Sequence, residues 1–386
     1  MKLNNKSHLD AQLNNSLDQN HEKLEIKNTW NAYGGNVLWI PVLALTGIGI
    51  LFVYSASSVY ALQTYGNEFY FAKKQALFLI PSFIAAFIGA KIPFQFFYKN
   101  IKLLFGLSVL STFATHLPHI GRRVGGAPRW LNIGPFPVQP AEFLKSFTLI
   151  FMVYLLCQKN IQKKWAYYIF LAMAPIAIIS QKDLGTTLVV VSGCLTILFM
   201  NGFPKRFFFA IFGFLSCGML VAILAEPYRI SRIMTFLNPF KDPLGSGFQV
   251  IQSFIAIANG GIFGRGIGES SQKLFFLPEA HTDFILAVIT EEMGFIGIVV
   301  LSILYAVLYY AILRIILFAK THTDRLFASG VFTMLVLTTI INMGVVAGAF
   351  PTKGLPLPFI SNGGSALIAN FFLIGLLSQI SKRIHS

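Results

Sequence analysis

One apolar segment of this sequence carries carboxylates at a spacing that suits catalysis. Asp283 opens the segment, and Ala287, Thr290, Glu291 and Gly294 continue as a stripe of small and polar residues along one side of a helix. At a rise of about 1.5 Å per residue, Glu291 would lie about 12 Å deeper than Asp283. A carboxylate partly removed from water holds its proton more readily, which suits a general base. Asp283 is therefore the candidate base, although an acid at a helix start is also a common N-cap.

Three further ionisable residues lie at the starts of apolar segments. Glu142 and Lys145 are three positions apart, which places both on one face of a helix. They can form an internal ion pair, or the lysine can meet an anionic substrate that the glutamate orients. Asp183 fits the N-cap of the next helix but one, and it also brings a carboxylate to the same side of the protein.

Basic residues occur in segments that should lie outside the cytoplasm. Lysine and arginine normally concentrate in cytoplasmic loops, so these exceptions need a cause. A membrane-embedded pyrophosphate would supply one, because both side chains pair with phosphate oxygens. Lys73 and Lys74 also fall on that side, and the outer-loop cations are Arg122, Arg123, Arg129, Arg265, Lys273 and Lys353.

Long apolar segments must position these residues. The chain is 55% apolar and 12% charged, which is about half the charged fraction of soluble proteins. Segments of about 20 apolar residues recur, each long enough to cross a hydrocarbon core as a helix. We therefore predict an all-α integral membrane protein with about ten transmembrane helices. The predicted spans are 37–57, 72–91, 100–117, 141–157, 165–180, 184–200, 207–225, 283–312, 327–348 and 365–381.

The polar N-terminal segment 1–35 differs from the rest of the chain. It has few large apolar residues and cannot offset the entropy of ordering, so we predict a disordered cytoplasmic tail, followed by one membrane domain over 36–386. The net charge of +15 does not indicate nucleic-acid binding, because the basic residues lie at the ends of apolar segments rather than in one patch. Their distribution predicts a multi-pass protein of the bacterial cytoplasmic membrane with both termini in the cytoplasm.

Three loops are predicted on the outer side. Segment 118–140 contains the arginines, and segment 226–282, between the seventh and eighth helices, is longer than a simple connection needs. Within it, 247–259 is amphipathic and suits the membrane interface, and the glycines that follow predict a bend. Prolines and glycines in 349–364 exclude a helix there.

Seven motifs resemble the SEDS family (shape, elongation, division and sporulation), and its division branch more closely than its elongation branch. The resemblance covers about residues 37 to 383, and the motifs are highly specific in their combined order and spacing. They are Gly126-Ala127-Pro128-Arg129-Trp130-Leu131, Gln139-Pro140-Ala141-Glu142-Phe143-Leu144-Lys145, Asp183-Leu184-Gly185-Thr186, Gln272-Lys273-Leu274, Leu277 through Phe284, Glu291-Glu292-Met293-Gly294 and Pro351-Thr352-Lys353-Gly354-Leu355.

The resemblance implies a ten-helix peptidoglycan glycosyltransferase that polymerises lipid II, with inversion, on the outer face of the cytoplasmic membrane at the division septum. It also implies a class B penicillin-binding protein as transpeptidase partner, alongside other membrane proteins of the divisome. Asp283 matches the family's essential acid, and Glu142 and Lys145 match its outer Glu and Lys, so these three are the catalytic candidates. The substrate-binding candidates are Arg122, Arg129, Asp183, Lys273, Glu279, His281, Lys353 and Ser361.

Two positions depart from the family pattern. Lys182 stands where the family usually has proline, and Asn362 stands where it usually has tyrosine. Neither departure changes the carboxylates. Asp283 together with Glu279 could hold a divalent cation such as Mg²⁺ or Mn²⁺, but such acidic pairs are too common to predict one.

Two other classes of function use some of the same residues. A lipid II flippase, or another lipid transporter, would also need outer cations and intramembrane acids. The polar residues favour the enzyme, because a carrier should show acids and glycines mirrored toward the cytoplasm. A scaffold that only recruits a transpeptidase would leave the intramembrane carboxylates unexplained.

Overall fold

The computed structural model describes most of the membrane domain. The predicted tail 1–35 and the candidate site residues Lys273 and Glu279 lie outside the described residues. The described residues are 36–124, 126–133, 136–158, 164–224, 226–271 and 280–385.

Twelve α-helices and one small sheet make up this part of the chain, which confirms the helical membrane class. All ten predicted spans coincide with helices, with ends that differ by up to eight residues. The helices are α1 Asn36–Tyr65, α2 Tyr70–Lys91, α3 Phe94–Ala114, α4 Pro140–Cys157, α5 Lys164–Ser180, α6 Leu184–Met200, α7 Lys205–Leu224, α8 Pro227–Leu237, α9 Phe248–Gly260, α10 Ile285–Phe318, α11 His322–Val346 and α12 Gly364–His385.

Among the described residues, six helices are long and apolar enough to cross a membrane by length and composition. They lie within α1, α2, α4, α10, α11 and α12. Shorter apolar helices occur at Tyr168–Ser180, Leu184–Met200 and Phe208–Gly218. A multi-pass membrane protein is thereby established, whereas the count of ten stays a prediction.

Short connections make successive helices antiparallel, so their ends define two faces. We call the face where α4, α6 and α10 begin the site face, and the opposite face, where α1 begins and α2 and α12 end, the far face. Helices α2 and α12 pack along each other, as do α6 and α11, and α3 and α4. All predicted catalytic residues fall at the site face.

A three-stranded antiparallel sheet occupies the site face between α3 and α4, where the sequence predicted only a loop. Its strands are β1 Gly121–Val124, β2 Ala127–Ile133 and β3 Phe136–Val138, in that order across the sheet. Gly126, with φ +75°, lies in the turn between β1 and β2. A glycine that can adopt positive φ, followed by a strand-forming segment with Trp130 and Leu131, is typical of a hairpin turn. The sheet fixes the position of Arg129, which lies in β2.

The glycine-rich segment after α9 pairs with an interruption in α10. Helix α10 kinks at Gly294, whose φ of +66° and ψ of −159° are not helical. Arg265 donates its backbone N–H to the Glu291 carbonyl at 3.0 Å, and Phe295 donates to the Gly261 carbonyl at 2.9 Å. These bonds satisfy backbone groups that the kink frees from the helix, as non-helical backbone within a membrane requires. The glycines at 261, 264, 266 and 268 all have positive φ, so the predicted bend is present, whereas the interfacial location of the amphipathic stretch stays a prediction.

Candidate functional site

A buried ion pair lies at the start of α4. Pro140 occupies the first turn of the helix, and the preceding N–H of Gln139 donates to the Ser365 hydroxyl of α12 at 2.9 Å. Glu142 lies in the same first turn and Lys145 one turn later, with Lys145 Nζ 2.7 Å from Glu142 Oε2 and the two side chains only 6% and 2% exposed. The structure thus brings these two candidates together, inside the protein.

Removing one partner of this pair should destabilise the protein. Lys145→Ala leaves the Glu142 carboxylate buried without its cation, which typically costs about 3–5 kcal/mol. The double variant Glu142→Gln/Lys145→Met removes both charges and should lose less. Thermal unfolding in detergent, followed by circular dichroism, measures both variants. A Lys145→Ala protein as stable as the double variant would contradict a stabilising pair.

Asp183 is the N-cap of α6, as its residue type suggested. Its Oδ1 accepts the Thr186 backbone N–H at 3.0 Å, and Oδ2 accepts the Thr186 hydroxyl at 2.9 Å. The residue before it, Lys182, has φ +58°. Proline, the usual residue in the family, is fixed near φ −65° and could not adopt this conformation. Lys182 therefore forms a turn that proline could not form, and the lysine Nζ lies 3.5 Å from Oε2 of Glu226.

Arg129 reaches from the sheet to the end of α5. Its Nε donates to the Gln181 carbonyl at 3.2 Å, and Nη2 donates to the Lys182 carbonyl at 2.9 Å. The third nitrogen, Nη1, lies 3.6 Å from the place that a Cβ on Gly354 would occupy. Oδ2 of Asp283 lies 3.1 Å from the same place. Arg129 and Asp283 therefore flank Gly354, and glycine leaves the space between them open.

A larger residue at Gly354 should slow the reaction at this site. Gly354→Val would place methyl groups between the Asp283 carboxylate and the Arg129 guanidinium. A displacement of about 1 Å in a reacting group can cost about 10²-fold in rate, and a loss of that order is expected. Gly354→Ala adds only a Cβ and should lose less. Steady-state rates of the glycan polymerisation that the family resemblance implies test the order, and equal rates for glycine, alanine and valine would contradict it.

Asp283 lies just before α10, and the N-cap of that helix is Phe284. Asn342 of α11 holds the backbone here: its Nδ2 donates to the Asp283 carbonyl at 2.9 Å and to the Leu355 carbonyl at 2.7 Å. Ser361 adds a second link, since its hydroxyl donates to the Thr282 carbonyl at 2.6 Å. The proline-rich loop 349–363 and the segment before α10 are therefore joined through backbone contacts.

Three other candidates do not border the space beside Gly354. Ser361 is buried, and its hydroxyl also accepts the Leu357 N–H at 2.8 Å, so its contacts are internal. Arg122 is exposed on β1, paired across the sheet with Trp130. His281 packs against Phe71 of α2, with ring centroids 4.4 Å apart.

A cleft of about 210 Å³ opens beside Arg129, Asp183 and Gly354. Its floor is apolar and comes from α6, α7 and α8. Five cationic side chains line it, and Asp183 is the one acid among the described residues that do so. The cations are Arg129, Lys182, Arg229, Arg232 and Lys353. The cleft therefore suits a ligand that joins an anionic group to an apolar chain.

Lys353 is a partly buried cation of the cleft and lies in the loop after α11. Burial lowers the pKa of its ammonium group below the usual value, Asp183 opposes the shift, and Arg232 adds to the lowering. An anion bound in the cleft would raise that pKa again, so anion binding and retention of the Lys353 proton support each other.

Two cleft residues were missed by the sequence analysis. Arg229 and Arg232 lie on α8, inside the segment that was predicted as a loop, and Nη1 of Arg232 donates to the Thr352 carbonyl at 2.7 Å. A signal was present, because the two arginines are three positions apart and Ile230 and Ile233 alternate with them after Pro227. Asn342 carries no comparable signal, since it is one polar residue in an apolar helix.

Glu291 does not face the cleft, contrary to the predicted stripe. Its Oε2 accepts the Ser270 hydroxyl, and Oε1 accepts the Ser271 hydroxyl at 2.8 Å and lies 3.6 Å from Nη1 of Arg265. Asn259 of α9 also donates to Oε1. The buried charge is thus held by the glycine-rich segment beside the α10 kink. The helical spacing of the stripe was predicted, but the residues that bind the Glu291 carboxylate could not be predicted from that spacing.

No group of three or more metal-ligating side chains occurs within the described ranges. Glu279, the proposed second ligand beside Asp283, lies outside them, so the divalent cation stays untested.

An apolar helical bundle with a cationic, apolar-floored cleft at one face defines a polytopic membrane protein. The chain belongs to the cell cycle protein family of FtsW, RodA and SpoVE, whose sequence model matches residues 36–385. This confirms the SEDS resemblance.

Relatives match over nearly the whole chain. A probable peptidoglycan glycosyltransferase FtsW from Geobacter metallireducens is 38% identical over 90% of this chain and 94% of its own. Stage V sporulation protein E from Bacillus subtilis is also 38% identical, over 90% and 96%. Relatives of the FtsW branch thus support the division side of the family.

Solved structures share the fold. One, described as structural coordination of polymerization and crosslinking by a peptidoglycan synthase complex, has a TM-score of 0.73 at 30% identity and covers 90% of this chain and 98% of that one. The rod shape determining protein RodA of Thermus thermophilus has a TM-score of 0.65 at 26% identity and covers 90% and 97%.

Proposed function

We propose that the protein is a peptidoglycan glycosyltransferase that polymerises lipid II into glycan strands at the outer face of the cytoplasmic membrane during division. The observation that carries the proposal is the cationic cleft beside Asp283 at the site face. The names of its FtsW relatives support the same activity. The site face is then the outer face, and both termini lie in the cytoplasm.

The cleft is suited to the donor. Cations around its rim can pair with the two phosphates, and the apolar floor of Leu184, Leu188 and Ile233 can take the start of the isoprenoid chain. Arg129 is pre-oriented, because two of its nitrogens are already held by carbonyls beyond α5. Lys353 and Arg232 lie on the other wall and can stabilise the leaving diphosphate.

Asp283 is suited to the acceptor. In the proposed step, the acceptor 4-hydroxyl attacks C1 of the donor sugar while Asp283 accepts its proton. The C1–O bond to the diphosphate breaks, the configuration at C1 inverts, and undecaprenyl diphosphate leaves with the bonding electron pair.

Glu142 and Lys145 position the site residues and do not contact the donor. Their pair is buried at the start of α4, which packs against β2, the strand that carries Arg129. A positioning role fits this location better than the direct diphosphate contact expected from the sequence.

A transpeptidase partner is part of the proposal. The similar solved chain belongs to a peptidoglycan synthase complex by its description. By analogy we propose a class B penicillin-binding protein as the partner of this protein, with other divisome membrane proteins, at the septum.

Parallel assays separate the enzyme from a flippase. Purified full-length protein with its transpeptidase partner is given lipid II in detergent, and glycan strands are resolved on gels. The same protein in vesicles is tested for movement of fluorescent lipid II between leaflets. Polymer without assisted movement is expected. Movement without polymer would favour the transporter.

A further inference from the structure

A second groove lies at the far face of the bundle, away from the catalytic cleft. It has a volume of about 640 Å³ and is formed by α1, α2 and α12. Its walls are mainly apolar, with Trp39 and Leu43 from α1 and Phe83 and Phe87 from α2. Lys91 and Lys382 complete its lining.

Helix packing explains why the groove forms on this side. Helices α2 and α12 touch closely, because a Cβ on Gly375 would overlap the Ala86 carbonyl and one on Gly89 would overlap that of Phe372. Helix α1 does not close the gap beside them, and its Leu43 remains 46% exposed. The groove is therefore open sideways, toward the hydrocarbon around these three candidate spans.

Two unpaired cations mark the end of the groove. Lys91 lies in the last turn of α2, Lys382 lies near the end of α12, and both are exposed. Within the described ranges neither lysine forms an ion pair, whereas the adjacent Arg383 pairs with Asp324 at 2.9 Å. No acidic residue of the described chain lines the groove. An occupant therefore needs a negative group at the lysines and an apolar body along the aromatic wall.

We propose that this groove binds one anionic phospholipid of the leaflet at the far face. The phosphate would lie between Lys91 and Lys382, and an acyl chain would pack against Phe83 and Phe87. Trp39 suits the headgroup level, and its indole N–H already donates to the Ser378 hydroxyl at 3.4 Å. A free phosphate would leave the apolar wall unfilled, and a neutral lipid would leave both lysines without a partner.

The charge preference has an expected size. Each lysine attracts an anionic headgroup electrostatically. Two lysines together should favour binding of an anionic over a zwitterionic lipid by about 30-fold. The proposal does not depend on the glycosyltransferase activity, because the groove and the cleft lie at opposite faces and share no lining residue.

Fluorescence quenching tests the proposal directly. The full chain carries four tryptophans, so Trp30→Phe, Trp130→Phe and Trp165→Phe leave Trp39 as the only emitter. This protein is placed in phosphatidylcholine vesicles that contain increasing shares of brominated phosphatidylglycerol or brominated phosphatidylcholine. Brominated phosphatidylglycerol should quench Trp39 at about 30-fold lower mole fraction.

Matched variants distinguish lipid binding at this groove from an effect of overall charge. Lys91→Gln/Lys382→Gln should abolish the preference, whereas Lys99→Gln/Lys320→Gln, which removes two exposed lysines outside the groove, should keep it. Ala90→Phe fills the groove without changing either lysine and should also remove the preference. Equal quenching by both lipids in the parent protein, or equal loss in the two lysine pairs, would overturn the proposal.

Discussion

Replacing Asp283 with asparagine is expected to slow lipid II polymerisation by about 10²- to 10⁴-fold, the usual contribution of a positioned base. Asparagine keeps the size and polarity of the side chain but cannot accept the proton of the acceptor hydroxyl. The backbone here is fixed independently, by the Asn342 amide and by the Ser361 hydroxyl on the neighbouring Thr282 carbonyl. The loss should therefore appear in turnover rather than in folding. Polymerisation rates of the purified protein with its transpeptidase partner measure it.

A second acid provides the control for this experiment. Glu269 is exposed in the segment before Asp283, and Glu269→Gln removes the same charge without touching the cleft. It should retain nearly the full rate. An Asp283→Asn protein that polymerises as fast as the Glu269→Gln protein would show that the base lies elsewhere.

Replacing Lys353 with glutamine is expected to lower the rate by about 10²- to 10³-fold, as the loss of one donor to a developing anion does. Lys353 is largely desolvated, and its pKa is already lowered by burial, so the ammonium gains a strong partner when the diphosphate arrives. Unlike the Asp283 variant, this one should also bind the donor more weakly, because the diphosphate is present before the reaction. Rates and donor affinity should therefore be measured on the same sample.

Lys73 provides the matched control for Lys353. It is exposed at the start of α2 on the site face, where its ammonium lies 5.7 Å from the centroid of the Phe69 ring. Lys73→Gln lowers the net charge equally and should change neither rate nor affinity by more than a small factor. Equal losses in the two variants would indicate a general field effect instead of a site at Lys353.

Much of this fold was predictable because lipid imposes simple rules. A span must be long, apolar and helical, so α1, α2, α4, α10, α11 and α12 were evident from composition alone. Local chemistry was also readable: the spacing of Glu142 and Lys145 placed them on one face, and Asp183 before Leu184 was a helix cap.

Other features depended on contacts between distant segments. Glu291 shares the helical period of the site, but its carboxylate is held by Ser270 and Ser271, which only the folded chain brings near. Asn342 joins two loops from a third element, and no local pattern marks it. The sheet that presents Arg129 was hidden because its strands are short and partly exposed.

We propose that Asp283 accepts the proton of the acceptor hydroxyl and that Lys353 binds the donor diphosphate within one site. The most direct test measures, for each variant, the affinity for undecaprenyl diphosphate and the rate of a single glycosyl transfer. Asp283→Asn should keep the wild-type affinity and lose about 10²- to 10⁴-fold in rate, whereas Lys353→Gln should lose both. Normal transfer by the Asp283→Asn protein, or an equal loss of affinity in both variants, would contradict the claim.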